Sequence, residues 1–147
     1  REVDIHFLVA GEGELFESSK ARAAAEALPV TFLGWHKDVD ELFAASDIAI
    51  LTSDNEGIPL TLIQAAQAGL PIIAPKVGSI SDIVENDVTG FLTSPAPGAM
   101  ASALSALATD ENLRIQLGGA GKKRASELFS LERMLRDHTE IYHLAHR

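Results

Sequence analysis

The sequence predicts a doubly wound α/β domain, a parallel sheet with helices on both faces. Two observations carry this. Short, wholly apolar, β-rich runs recur without the polar alternation of a sheet that has one wet face. Segments of helical composition separate them, so strand and helix alternate along the chain.

Each element follows in order. Ile5 to Ala10 (IHFLVA) reads as the first strand, ended by Gly11-Glu12-Gly13, and Glu14 to Leu28 as an alanine-rich helix. Val30 to Leu33 is the second strand, closed by Gly34, and Val39 to Ala45 a short amphipathic helix. Ile48 to Leu51 is the third strand. Pro59 then opens a helix, because proline is favoured at the first helical position, where its missing N–H would go unpaired anyway. Pro71 to Ala74 is the fourth strand and Phe91-Leu92 a weak fifth. Helices are expected at Pro97 to Ala108, at Glu111 to Leu117 and, after a break at Gly118-Gly119-Ala120-Gly121, through the C-terminus. In the last of these, Leu131, Met134, Leu135, His138, Tyr142 and Ala145 share one face at helical spacing. That stripe either packs on its own domain or covers, in part, a partner domain.

Composition bounds the function. The 147 residues are one domain's worth of chain, and 46% hydrophobic with 22% charged content fits a folded domain. Twenty-one acids against 12 bases give a net charge of -9, which argues against nucleic-acid binding. It leaves room for a small anionic ligand, since backbone N–H groups hold phosphate without net positive charge. The absence of cysteine excludes disulfides and thiolate metal sites, but does not by itself decide the compartment. No apolar run approaches the roughly 20 residues of a membrane span. His6, His36, His138, His143 and His146 form no pattern with carboxylates that points to a metal, and Lys122-Lys123-Arg124 reads as a solvated helix face. The opening Arg1-Glu2-Val3-Asp4, running straight into a strand, is expected of a segment from a longer protein.

Ligands of doubly wound sheets bind outside the carboxyl ends of the strands. Three loops leave those ends: Gly11-Glu12-Gly13, Gly34-Trp35-His36, and Ser53 to Gly57. They are expected to converge. In "SDNEGIPLTLIQAAQAG", Gly57 allows a turn and a close approach to the backbone, and the helix after Pro59 presents free N–H groups near Leu60 and Thr61. With the positive end of its dipole, that terminus is an anion site. Glu56 beside an anion makes sense if its carboxylate accepts hydrogen bonds from hydroxyls, as on a sugar joined to the phosphate. The plainer alternative is stabilisation of the helix start. Gln64, four residues beyond Leu60, either reaches the same pocket or is a solvated amide.

The segment "SDNEGIPLTLIQAAQAGLPIIAPKVGSISDIVENDVTGFL" resembles the donor-binding segment of retaining GT-B glycosyltransferases of family four, the "glycosyl transferases group 1" superfamily. Their pattern is Glu-Gly-x-Pro, a second Glu eight residues after the first, Ala-x-Ala-x-Gly-x-Pro, two branched residues and Ala, then Gly-Gly and an acid. The similarity continues through "IHFLVAGEGEL", "VTFLGWHKDVDELFAASDIAILTS" and the C-terminal helices, so it covers essentially the whole chain.

The resemblance implies a Rossmann-like C-terminal half of a GT-B fold. Residues 1–147 would be a single nucleotide-sugar-binding domain that lacks the N-terminal acceptor domain and the start of its own domain. It implies hexosyl transfer to a glycan, lipid or small molecule by the parent protein, with the isolated chain inactive. It further implies no cofactor beyond the nucleotide-diphosphate sugar donor, no metal, and front-face substitution in which the leaving phosphate takes the acceptor's proton. Partners are then the nucleotide-sugar and the missing domain, through which alone a peripheral membrane association would arise; the location is expected to be cytoplasmic.

Roles carry over by position. Glu56 matches the acid that contacts the donor sugar, and backbone groups at Ile58, Leu60 and Thr61, after Gly57, those that hold the distal phosphate. Gln64 stands where the second acid takes the ribose hydroxyls. Gly34, Trp35 and His36 fall beside the base, and Gly11, Glu12 and Gly13 line the phosphate pocket. Departures are Gln64 itself, Ser79 in place of the second glycine, Asp82 where Glu is common, and the basic diphosphate clamp, which lies upstream and is not matched by Arg1. A non-catalytic binding module and a GT-B sugar-nucleotide epimerase are the competing readings.

Overall fold

The structure is a computed structural model that describes residues 4–145. The chain divides into two compact units, residues 1–45 and residues 46–147.

The first unit is a strand–helix–strand–helix run: β1 (Phe7–Ala10), α1 (Phe16–Ala25), β2 (Val30–Gly34) and α2 (Val39–Ala44). β1 and β2 pair in parallel, Phe7 with Val30, and the register shifts at Val9/Ala10 so that Ala10 meets Gly34. Phe16 of α1 stands edge-to-face on Phe32 of β2 at 5.8 Å, fixing helix to strand. The expected helix to Leu28 ends three residues early. Ala27 takes a left-handed φ of 49°, the Leu28 N–H reaches the Ala23 carbonyl (2.9 Å) and the Ala27 N–H the Ala24 carbonyl (3.3 Å). This is the Schellman arrangement, with alanine where glycine is the usual choice. Asp38 caps α2 by accepting from the Glu41 N–H at 3.3 Å.

The second unit holds β3 (Ala49–Ile50), α3 (Leu60–Ala68), β4 (Ile72–Pro75), α4 (Ile80–Ile83), β5 (Gly90–Thr93), α5 (Pro97–Thr109), α6 (Glu111–Leu128) and α7 (Leu131–Ala145). Its sheet is parallel in the order β3-β4-β5, so the predicted strands are present and pair as two parallel sheets, one per unit. β4 is central and every residue of it is buried, which is why its sequence is continuously apolar. Ile73, Leu107 and Leu117 form the core, with Ile48, Phe91, Met100 and Leu104 packed against them.

Three expectations change here. The glycines at 118–121 do not break a helix; α6 is continuous from Glu111 to Leu128. Gly118 faces inward, where a Cβ would overlap the Gly69 carbonyl oxygen and lie 3.3 Å from Pro71, while Gly121 faces Thr89 and Ala66. The glycines thus bring α6 against the amino ends of β4 and β5. The tract Lys122-Lys123-Arg124 is not uniformly solvated either. Arg124 is half-buried and donates to the carbonyls of Ile83 (3.2 Å) and Asp82 (3.1 Å), the cationic end-cap that the short α4 needs. Lastly, the stripe on α7 does not bury itself on its own domain. Leu131 (64% exposed), Met134, Leu135 and Tyr142 (65%) all face outward. The Ala145 side chain, His146 and Arg1 lie outside the described residues.

Candidate functional site

In the first unit the two glycine-bearing loops come together at the carboxyl ends of β1 and β2. The Gly11 N–H donates to the Gly34 carbonyl at 2.8 Å. Glu12 Oε1 accepts from the Trp35 N–H at 3.2 Å. Glu12 is therefore already engaged: one carboxylate oxygen holds the Gly34-Trp35 turn, a positioning role that sequence reasoning did not assign to it. Gly13 supplies the carbonyl that accepts from Phe16 and starts α1. Trp35 is 77% exposed, an unusual placement for the chain's one tryptophan and a flat surface for stacking. His36 Nε2 is buried without a hydrogen-bond partner among the described residues.

In the second unit the loop after β3 leads into α3. Pro59 is the N-cap, with extended φ/ψ of -72° and 106°, and not the first helical residue it was expected to be; the helix begins one position later, at Leu60. Its carbonyl accepts from Leu62 (3.0 Å) and Ile63 (3.4 Å). The N–H groups of Leu60 and Thr61 have no acceptor among the described residues and point out of the helix end. Leu60 is 70% exposed, so this terminus opens to solvent rather than into the core. Ile58 is exposed in the same loop.

Glu56 is half-buried, and its carboxylate makes no hydrogen bond or ion pair among the described residues. Neither a cap nor a salt bridge occupies it. The chain bends at Gly57, as expected, although its φ is not positive, and a Cβ there would meet nothing within 4 Å. Fold and packing leave this glycine unexplained, and its effect is to keep the space in front of the backbone clear.

Gln64 is exposed, one turn into α3, and lines a groove of about 650 Å³ with Leu60, Phe129, Met134 and His138, between α3 and the α6–α7 elbow. Leu60 therefore borders both the helix terminus and this groove. Sequence reasoning missed Gly78 as a site residue, although its place in the Gly-Gly pattern after β4 was a signal; its main chain lies against that of Glu56. It also missed Thr93, whose buried Oγ1 at the carboxyl end of β5 has no hydrogen-bond partner among the described residues. No group of three or more metal-ligating side chains occurs among the described residues.

The model of the family described as glycosyl transferases group 1 matches residues 1–124. The chain belongs to the glycosyl transferases group 1 family. Among curated relatives of this family, the chain is 30% identical over 146 residues to the N-acetyl-alpha-D-glucosaminyl L-malate synthase of Bacillus anthracis, covering 97% of this chain and 38% of the relative. It is 33% identical over 92 residues to the Escherichia coli UDP-Gal:alpha-D-GlcNAc-diphosphoundecaprenol alpha-1,3-galactosyltransferase, covering 60% and 24%. Its fold matches that of HepE of Anabaena, solved in complex with UDP-glucose, with a TM-score of 0.80 at 25% identity over 92% of this chain and 40% of that one. The group 1 chain thus spans well under half the length of these relatives. Its architecture is the Rossmann-like α/β half of GT-B glycosyltransferases, as its residues led us to expect. No helix among the described residues is long and apolar enough to cross a membrane.

Proposed function

We propose that this group 1 domain binds the nucleoside-diphosphate sugar of a retaining glycosyltransferase whose full chain transfers a hexosyl group to a glycan, lipid or small-molecule acceptor. One observation carries the reading: among the described residues the N–H groups of Leu60 and Thr61 at the start of α3 and the carboxylate of Glu56 have no partner, and the open backbone at Gly57 lies between them in the chain. The helix terminus is suited to the phosphate that bears the sugar, and Glu56 to the sugar's hydroxyls.

The same terminus serves the chemistry. As the glycosidic bond to the diphosphate breaks, negative charge grows on the leaving oxygen, and fixed N–H donors stabilise that charge more than they stabilise the ground state. Uracil is the favoured base, because HepE was solved with UDP-glucose and the E. coli relative is named for UDP-Gal. The acceptor belongs to chain beyond these residues, and the transfer is placed in the cytoplasm.

Calorimetric titration of the full-length protein with UDP-glucose, GDP-mannose and ADP-glucose tests the proposal. Saturable binding of one of them is expected, and Glu56→Gln should lower transfer by about 100-fold while leaving UDP binding within about twofold. Absence of binding by all three at millimolar concentration would overturn it. An epimerase would convert the donor with no acceptor present.

A further inference from the structure

We propose that Gly78 is a positioning residue that fixes the Glu56 carboxylate; this rests on the reading of Glu56 as acceptor for the donor sugar's hydroxyls. Gly78 adopts a left-handed φ of +51° in the loop between β4 and α4. A Cβ built there would overlap the Glu56 carbonyl oxygen, lie 2.8 Å from its carbonyl carbon and 3.4 Å from its nitrogen. The loop after β4 therefore lies directly on the main chain of the loop after β3. No rotamer change relieves such an overlap, because every atom met is backbone.

The Gly78 loop is itself held at the strand ends. The Lys76 N–H donates to Thr93 at 3.0 Å, Val77 to Pro75 at 2.9 Å, and Ile80 to Val77 at 3.3 Å. Glu56 has no comparable anchor, since its side chain has no partner among the described residues. What sets the carboxylate's distance from the Leu60 and Thr61 N–H groups is thus the stop provided by Gly78. A side chain at 78 forces the Glu56 main chain outward and takes the carboxylate with it. A misplacement of this kind costs turnover far more than it costs nucleotide binding.

The experiment compares the full-length wild type with Gly78→Ala, Glu56→Gln and the double variant. It reads the Kd for UDP and the rate of UDP release from saturating UDP-glucose, with water taking the glucosyl group. Gly78→Ala should slow release by about tenfold or more and leave the UDP Kd within about twofold, and in the Glu56→Gln background it should add less than about twofold. Full additivity, or an unchanged rate, overturns the proposal. Gly78→Asn, which tolerates the left-handed backbone and retains the overlap, replaces the alanine variant where that one does not fold. Where neither folds, hydrogen exchange at residues 76–79 of the unaltered protein decides: UDP-glucose should protect them more than UDP does, and equal protection overturns the proposal. Failure of the wild type to bind UDP-glucose at all is a different result, since it rejects the donor reading and not the contact between the two loops.

Discussion

Gly118 of α6 rests on the main-chain carbonyl of Gly69, the residue that ends α3. Gly119, its neighbour, faces outward with nothing within 4 Å of a built Cβ. The two adjacent glycines therefore answer oppositely to the same change. Gly118→Ala drives a methyl into backbone and should destabilise the protein by about 2–3 kcal/mol. Gly119→Ala should stabilise it by about 1 kcal/mol, the helix preference of alanine over glycine. Denaturant unfolding followed by circular dichroism separates them; equal signs would show that α6 does not sit on α3 as described.

Ala27 carries the left-handed conformation at the end of α1, where a Cβ is unfavourable by roughly 1–2 kcal/mol. Because the two Schellman hydrogen bonds are already made, Ala27→Gly removes the penalty without altering any contact. A gain of up to about 1 kcal/mol, after glycine's larger unfolded-state entropy, is expected in the same unfolding assay.

Glu12 holds the Trp35 main chain through Oε1. Glu12→Gln keeps an acceptor oxygen and should be near neutral, whereas Glu12→Ala should cost about 1 kcal/mol. Trp35 fluorescence reports the difference directly: its emission should shift in the alanine variant and stay in place in the glutamine variant.

Gln64 bears on affinity. A carboxylate at this position would accept hydrogen bonds from ribose hydroxyls with charge assistance that an amide lacks. Gln64→Glu in the full-length protein should therefore lower the UDP Kd by about threefold to tenfold, measured by calorimetry. An increase instead would show that the amide suits its own donor better than an acid does.

How much of this was legible depends on the kind of signal. β4 and α5 were legible because burial on all sides leaves continuous apolar sequence, and proline at 97 marks a helix start. The loop from Glu56 into the helix that begins at Leu60 was legible, because glycine and proline side by side mark a bend and a helix start. The α6 glycines were misread: glycine as breaker and glycine as contact look identical in one dimension, and only the position of Gly69 tells them apart. Arg124 was absorbed into a basic run for the same reason, since the α4 carbonyls it meets lie some 40 residues earlier. The exposed stripe of α7 was legible as a stripe, while its failure to find cover inside the chain was not.

α6 crosses β4 at its amino end, while the loops after β3 and β4 leave from the carboxyl ends. Gly78 apart, substitutions in the loops after β3 and β4 meet little of the Ile73–Leu107–Leu117 core, so ligand preference is open to change at small cost in folding. A scaffold with its clamp and its working face on opposite ends is readily retuned. For engineering, the residues to randomise are 53–55, 58, 76, 77 and 79, and those to leave untouched are Gly78 and the inward glycines of α6.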